Sequence, residues 1–225
     1  MKTLLLWDID GTLILSGGAG ERALVASLRD EFGITGTLDG VEVAGRTDYL
    51  IARRVLEKFS LPVTPENITR YLEGYLRALP VELPNPRARL CPGVSELLTA
   101  CTRRGDIAQG LLTGNLRRGA EIKLRHHGLW THFAFGAFAD DGENRNDLGP
   151  HAVRRAAAHH AVDFAAERVW VIGDTPHDVA CGRAIGARTI AVATGGYTVD
   201  QLRACSPTAV LPDLSHTTAV LALFA

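Results

Sequence analysis

Apolar positions along the chain fall into two regimes. Between residues 21 and 32, Ala23, Leu24, Leu28 and Phe32 recur at helical spacing, and Gly33 closes the run. Residues 48–59 repeat the pattern with Leu50, Ile51, Val55, Leu56 and Phe59. Thr64-Pro65-Glu66 reads as an N-cap followed by proline at the first helical position. The stretch from about residue 19 to 79 is therefore expected to be helical throughout, and residues 80–92, with four prolines, to be a return linker.

Elsewhere short apolar runs alternate with helical ones. Leu4-Leu5-Leu6-Trp7 reads as a buried strand. Residues 93–104 read as a helix, and 107–112 as a strand ending in Thr113-Gly114-Asn115. A helix over 116–127 follows, closed by Gly128, then a short strand at 133–135, a polar loop at 140–147 and a helix over 151–160. A strand over 169–172 ends in Gly173-Asp174, a helix spans 178–185, a strand spans 189–192, and a last helix-strand-helix closes the chain. Such alternation predicts an α/β fold, a Rossmann-like doubly wound parallel sheet with helices on both faces. The helical stretch interrupts it after the first strand as a small all-helical cap domain. The expected division is 1–16 and 87–225 for the core and 17–86 for the cap. Ligands of such sheets bind beyond the carboxyl ends of the strands, where Asp8, Asp10, Thr113 and Asp174 all fall.

Composition narrows the picture. A chain of 225 residues accommodates one large domain, or a domain with an insert, and buries enough surface to fold without staples. A formal net charge of -1 argues against a nucleic-acid partner. The N-terminal apolar run meets Asp8 at once, so neither a signal peptide nor a membrane span is expected. Cys91, Cys101, Cys181 and Cys205 form no C-x-x-C pair; they are expected to be reduced core or near-core residues of a cytoplasmic protein.

The chemistry begins at Asp8 and Asp10. Alternation along an extended chain turns both carboxylates to one side. At ~4 Å and an effective dielectric of ~20 they would repel by about 4 kcal/mol. Solvent, a shared proton or a divalent cation must offset that. Gly11 permits a sharp exit, and the Thr12 hydroxyl is available to hold the loop. Gly17, Gly18 and Gly20 suit either a phosphate-cradling loop or a hinge. They lack the Lys-Ser/Thr of a P-loop and follow the strand too late for a dinucleotide fingerprint, which favours the hinge. In Thr113-Gly114-Asn115 a hydroxyl and free N–H groups at a strand-to-helix junction suit a phosphate oxygen, although the triplet is also an ordinary turn.

Asp8-Ile9-Asp10-Gly11-Thr12 behind an apolar strand resembles the first motif of the haloacid dehalogenase-like superfamily of phosphatases and phosphomutases. Leu111-Leu112-Thr113 resembles its second motif, and Gly173-Asp174-Thr175-Pro176-His177-Asp178 its fourth. Arg145, just ahead of a helix, is the candidate for the lone cation of the third motif, or else a solvated loop arginine; Lys123 competes but lies mid-helix. The resemblance implies Asp8 as nucleophile and Asp10 as general acid and base. It implies Thr113, Gly114, Asn115 and Arg145 around phosphate. Asp8, the Asp10 carbonyl and Asp174 are the implied metal ligands, with Asp178 behind them or reaching the ion through water. Oxygen-only ligands favour Mg²⁺. Arg46 is the candidate cap residue for substrate contact, and His177 is near enough to Asp174 to touch substrate. The expected reaction is hydrolysis of a small phosphomonoester such as phosphoglycolate. A sugar phosphomutase and a non-catalytic phosphate-binding module remain as alternatives. The second aspartate disfavours a dehalogenase, and Lys58 alone in the cap disfavours a phosphonate hydrolase.

Overall fold

The computed structural model describes residues 2–224. Its strands are β1 (Thr3–Trp7), β2 (Ile14–Leu15), β3 (Arg89–Leu90), β4 (Ile107–Leu112), β5 (Gly136–Ala137), β6 (Val169–Gly173), β7 (Arg188–Val192) and β8 (Ala209–Leu211). Its helices are α1 (Ala19–Phe32), α2 (Asp48–Lys58), α3 (Pro65–Glu82), α4 (Val94–Thr102), α5 (Arg117–His126), α6 (Leu148–His160), α7 (Pro176–Ala184), α8 (Val199–Ala204) and α9 (Thr217–Leu223). Six strands form one parallel sheet in the order β5-β4-β1-β6-β7-β8, the expected α/β architecture. β1, β4 and β6 are buried along their whole length, as strands covered on both faces must be. One apolar cluster, with Leu5, Trp7, Leu97 and Ile172, fills one side of the sheet, and a second, with Leu4, Leu6, Ala152 and Val171, fills the other.

Helices α1, α2 and α3 gather around a cluster of their own, centred on Leu24, Leu28, Ile51, Val55, Tyr71 and Tyr75. The segments leading into and out of this helical unit pair with each other: β2 lies antiparallel to β3, Ile14 opposite Leu90 and Leu15 opposite Arg89. Gly17 (φ 62°) and Gly18 (φ 81°) take the left-handed backbone between β2 and α1. No helix among the described residues is long and apolar enough to cross a membrane. Cys91, Cys101 and Cys181 are buried as free thiols, and Cys205 is half-buried.

Three sequence expectations are corrected. Residues 33–47 are not helical; four glycines and no sustained helical stripe leave them as an irregular loop. Pro80 lies inside α3 rather than in the linker. The apolar stripe of Tyr71, Leu72, Tyr75, Leu76 and Leu79 continues to Leu83, whose N–H still reaches the Leu79 carbonyl at 3.1 Å, so packing outweighs one lost hydrogen bond. The short strand expected at 133–135 is Gly136–Ala137, set by pairing with Leu111 and Leu112.

Candidate functional site

β4 and β6 flank β1, so the residues that follow these three strands converge where the strand order reverses. Asp8 leaves β1 with its N–H still bonded to the Ile172 carbonyl at 2.9 Å. Asp174 leaves β6, and Asp178 enters α7. A capping box holds that helix start: Thr175 N and Oγ1 donate to Asp178 Oδ2 at 3.0 and 2.7 Å. Asp178 is thus both an N-terminal helix clasp and a member of the site.

Asp8, Asp174 and Asp178 are all buried, and one carboxylate oxygen of each lies within 4.8 Å of the others. The facing cation is Arg145, itself 7% exposed, whose Nη2 donates to Asp8 Oδ1 at 2.7 Å and also to Asp178. Burial pushes the Asp8 carboxyl up to about 6, with Asp178 adding repulsion and Arg145 opposing. Burial, then Asp178 and Asp8, push Asp174 up to about 9. Burial works against the charge of Arg145, but Asp178 and Asp8 outweigh it and hold the guanidinium charged.

Among the described residues Asp174 accepts one weak side-chain hydrogen bond, from Thr12 Oγ1 at 3.4 Å. Gly11 (φ 83°) and Gly195 crowd its carboxylate so closely that a Cβ on either would collide with it. Three buried carboxylates, all oxygen donors, against one shared guanidinium fit a hard divalent cation such as Mg²⁺. The Nε of Arg145 is buried without a partner among the described residues.

Asp10 lies past the end of β1 with its side chain 39% exposed. Its Oδ2 accepts from Lys123 Nζ at 2.6 Å and from Asn115 Nδ2 at 2.9 Å. Lys123 sits mid-helix in α5 as expected, but its long stem carries the ammonium into the site, where it is 4% exposed. The signal was present in the sequence. Leu116, Gly119, Ala120 and Leu124 make one buried stripe of that helix, and a lysine on such a stripe must reach a partner.

The remaining candidates divide. Gly114 and Asn115 line an open cavity of about 700 Å³ together with Asp8, Asp10, Lys123, Arg145 and Asp174. Thr113 is fully buried and does not line it; its Oγ1 accepts from Asn115 N at 3.3 Å and Nδ2 at 2.8 Å, steadying that side chain. Arg46 borders the cavity, but its guanidinium is paired with Glu42 at 2.6 Å. His177 also turns to Glu42, at 3.0 Å. The helical unit supplies Leu24, Ile51 and Tyr75 to the cavity wall. It is fastened by Asp48, whose N–H donates to the Gly114 carbonyl at 2.7 Å and whose Oδ2 accepts from Leu116 N at 2.7 Å. The sequence marked Asp48 only as a helix start.

A sequence model of the family described as haloacid dehalogenase-like hydrolase matches residues 5–183. A curated relative from Dickeya dadantii (strain 3937), described as "Probable phosphatase IndB", is 26% identical over 218 residues, covering 96% of this chain and 92% of its own. Among solved structures, a hydrolase from Pseudomonas syringae superposes with a TM-score of 0.76 at 22% identity over all of both chains. CbbY from Rhodobacter sphaeroides, solved in complex with phosphate, superposes with a TM-score of 0.78 at 18% identity over 96% of each chain. At such identities the structural likeness speaks for the fold alone.

Proposed function

The chain belongs to the haloacid dehalogenase-like hydrolases, and on that premise we propose that it is a Mg²⁺-dependent phosphatase that hydrolyses a small phosphomonoester through an aspartyl-phosphate on Asp8. The observation that carries this reading is the asymmetric tether of Asp8. Its Oδ1 is held by Arg145 at 2.7 Å, while Oδ2 has no hydrogen-bond partner among the described residues and is left as the attacking atom.

In the first step Asp8 Oδ2 bonds to phosphorus while the ester P–O bond breaks, and the departing alkoxide takes a proton from Asp10. In the second, water attacks the phosphoryl group, the Asp8–phosphorus bond breaks, and the water's proton passes to Asp10. The backbone N–H of Gly114 suits a phosphoryl oxygen ahead of α5, while the Asn115 N–H is already turned to Thr113 Oγ1. Arg145 keeps Asp8 in line and supplies positive charge beside the phosphoryl group. Asp8, the Asp10 carbonyl and Asp174 would hold Mg²⁺, which when bound neutralises phosphoryl charge. Residues 17–86 act as a cap that excludes water from the cavity, on a core made of 1–16 and 87–225. Arg46 exchanges Glu42 for substrate when substrate is bound. Unpaired cysteines accord with a cytoplasmic setting.

Phosphate release from an aryl phosphate, measured with Mg²⁺ and after chelation, tests the reading. Turnover is expected with Mg²⁺ and not without, and Asp8→Asn is expected to be inactive. Activity surviving in Asp8→Asn would sink it. A panel of phosphorylated metabolites then identifies the substrate.

A further inference from the structure

We propose that Lys123 is the positioning residue for Asp10: its ammonium clamps Oδ2, leaving Oδ1 as the one oxygen that exchanges protons with the leaving group and with water. The proposal rests on the reading of Asp10 as the proton carrier and adds the element that orients it.

The geometry is a closed ring of three side chains. Lys123 Nζ donates to Asp10 Oδ2 and to Asn115 Oδ1, both at 2.6 Å, and Asn115 Nδ2 closes the ring on Asp10 Oδ2 at 2.9 Å. With its oxygen engaged by the ammonium, the Asn115 amide can present only its nitrogen to Asp10. Among the described residues, every side-chain hydrogen bond to Asp10 therefore falls on the same oxygen. The carboxylate is otherwise poorly restrained. It sits on the loop after β1, beside the left-handed Gly11, with 39% of its side chain exposed toward the cavity. Without the clamp, rotation about its side-chain bonds would move the reacting oxygen by more than a productive proton transfer tolerates.

Lys123 also meets the requirements of a clamp rather than a substrate ligand. It is 4% exposed, anchored by its stem on the apolar face of α5, and its charge is spent on partners already present. Burial opposes the ammonium, but Asp10, Tyr75 and Asp48 outweigh it and hold the lysine charged. Tyr75 and Asp48 belong to α3 and α2, so the clamp is walled by the helical unit as well as by the sheet. A compact ammonium suits a point contact of this kind, which the planar fork of arginine does not reproduce.

The test compares kcat/KM for an aryl phosphate, whose leaving group departs without protonation, with that for an alkyl phosphate, whose leaving group needs it. This parameter reports transfer to Asp8 and not the later hydrolysis. Lys123→Met is expected to lower the alkyl value by about 100-fold and the aryl value by less than about 5-fold. Lys123→Arg is expected to recover part of the alkyl loss. Asp10→Asn alone should show the same selectivity, and adding Lys123→Met to it should change the alkyl-to-aryl ratio no further. Equal losses on both substrates, or losses that multiply in the double variant, overturn the clamp and mark Lys123 as structural. If Lys123→Met does not fold, Lys123→Gln carries the same comparison. Failure of the phosphatase reading is distinguishable: the wild-type chain would then release no phosphate from either ester, and the clamp would fall with it.

Discussion

Arg145 Nη2 donates at once to Asp8 Oδ1, at 2.7 Å, and to Asp178, so one guanidinium joins the end of β1 to the start of α7. Asp178 meanwhile accepts from Thr175 N and Oγ1, which fixes the far end of the bridge to the helix cap. Arg145→Met would strand two buried carboxylates, and removal of one partner of a buried pair costs about 3–5 kcal/mol. The expected outcome is a lower urea midpoint with no turnover. Arg145→Lys keeps the charge but ends one bond short of the position where Nη2 meets both acids, so stability should fall between the two and activity stay below wild type. Equal stability of the Met and wild-type chains would contradict the bridge.

The acid cluster should register in the pH dependence of stability. Asp174 is pushed up to about 9 by burial and by Asp178 and Asp8, well above an unfolded aspartate. Between the unfolded value and about 9 the folded chain therefore binds the extra proton. Stability of the metal-free protein should accordingly be highest in acid, as far as this group is concerned, and fall as pH rises through that window. Asp174→Asn should flatten the slope and raise the melting temperature in chelator at neutral pH. Mg²⁺ should reverse the penalty in the wild-type chain, adding about 2.7 kcal/mol at a hundred times its Kd. Melting curves across pH, with and without Mg²⁺, check both halves; an unchanged slope in Asp174→Asn would contradict the assignment.

Asp48 carries the helical unit onto the sheet. Its Oδ2 accepts from the buried Leu116 N–H at 2.7 Å, and burial pushes its carboxyl up to about 6. Asp48→Ala leaves that N–H without an acceptor, at a cost of about 1–3 kcal/mol. Asp48→Asn retains an acceptor and removes a charge that burial disfavours, so it should lie closer to wild type. Denaturant midpoints for the pair decide this, and a larger loss for Asn than for Ala would contradict it. Limited proteolysis should also cut residues 33–47 faster in the Ala variant.

The strands were legible because burial on both faces leaves uninterrupted apolar runs: Leu4 to Trp7, and the segments before Thr113 and Asp174, need no partner to be recognised. Asp8 and Asp174 were equally plain, since each stands where such a run stops, and Asp178 followed from its place four residues on, in the first turn of α7. β5 was misplaced because Gly136 and Ala137 carry little strand preference of their own; Leu111 and Leu112 recruit them from another part of the chain. Lys123 gives no local sign of a site role from its mid-helix position, although Ala120 and Leu124 beside it face inward. Its contact with Asp10 spans 113 residues of sequence, and no local rule reports it. Asp48 is harder still, because an acidic residue at a helix start is satisfied as a dipole partner and advertises nothing further.

Gly195 offers the cleanest probe of Asp174. Its backbone lies outside the left-handed region, so alanine is conformationally acceptable there, and the obstacle to a Cβ is the Asp174 carboxylate. Gly11, which crowds the same carboxylate, has φ 83° and would confound packing with backbone strain. Gly195→Ala should therefore fold, at an overpacking cost of about 1–3 kcal/mol, with Asp174 displaced from Asp8 and Asp178. Weakening of Mg²⁺ binding by about 10–100-fold is expected, in line with disturbance of a ligand's surroundings. Gly196→Ala is the matched control, because a Cβ at that position meets nothing within 4 Å and should leave both stability and Mg²⁺ response unchanged. Calorimetric titration of the two variants with Mg²⁺ separates them. Identical affinities would show that the carboxylate of Asp174 does not reach the ion.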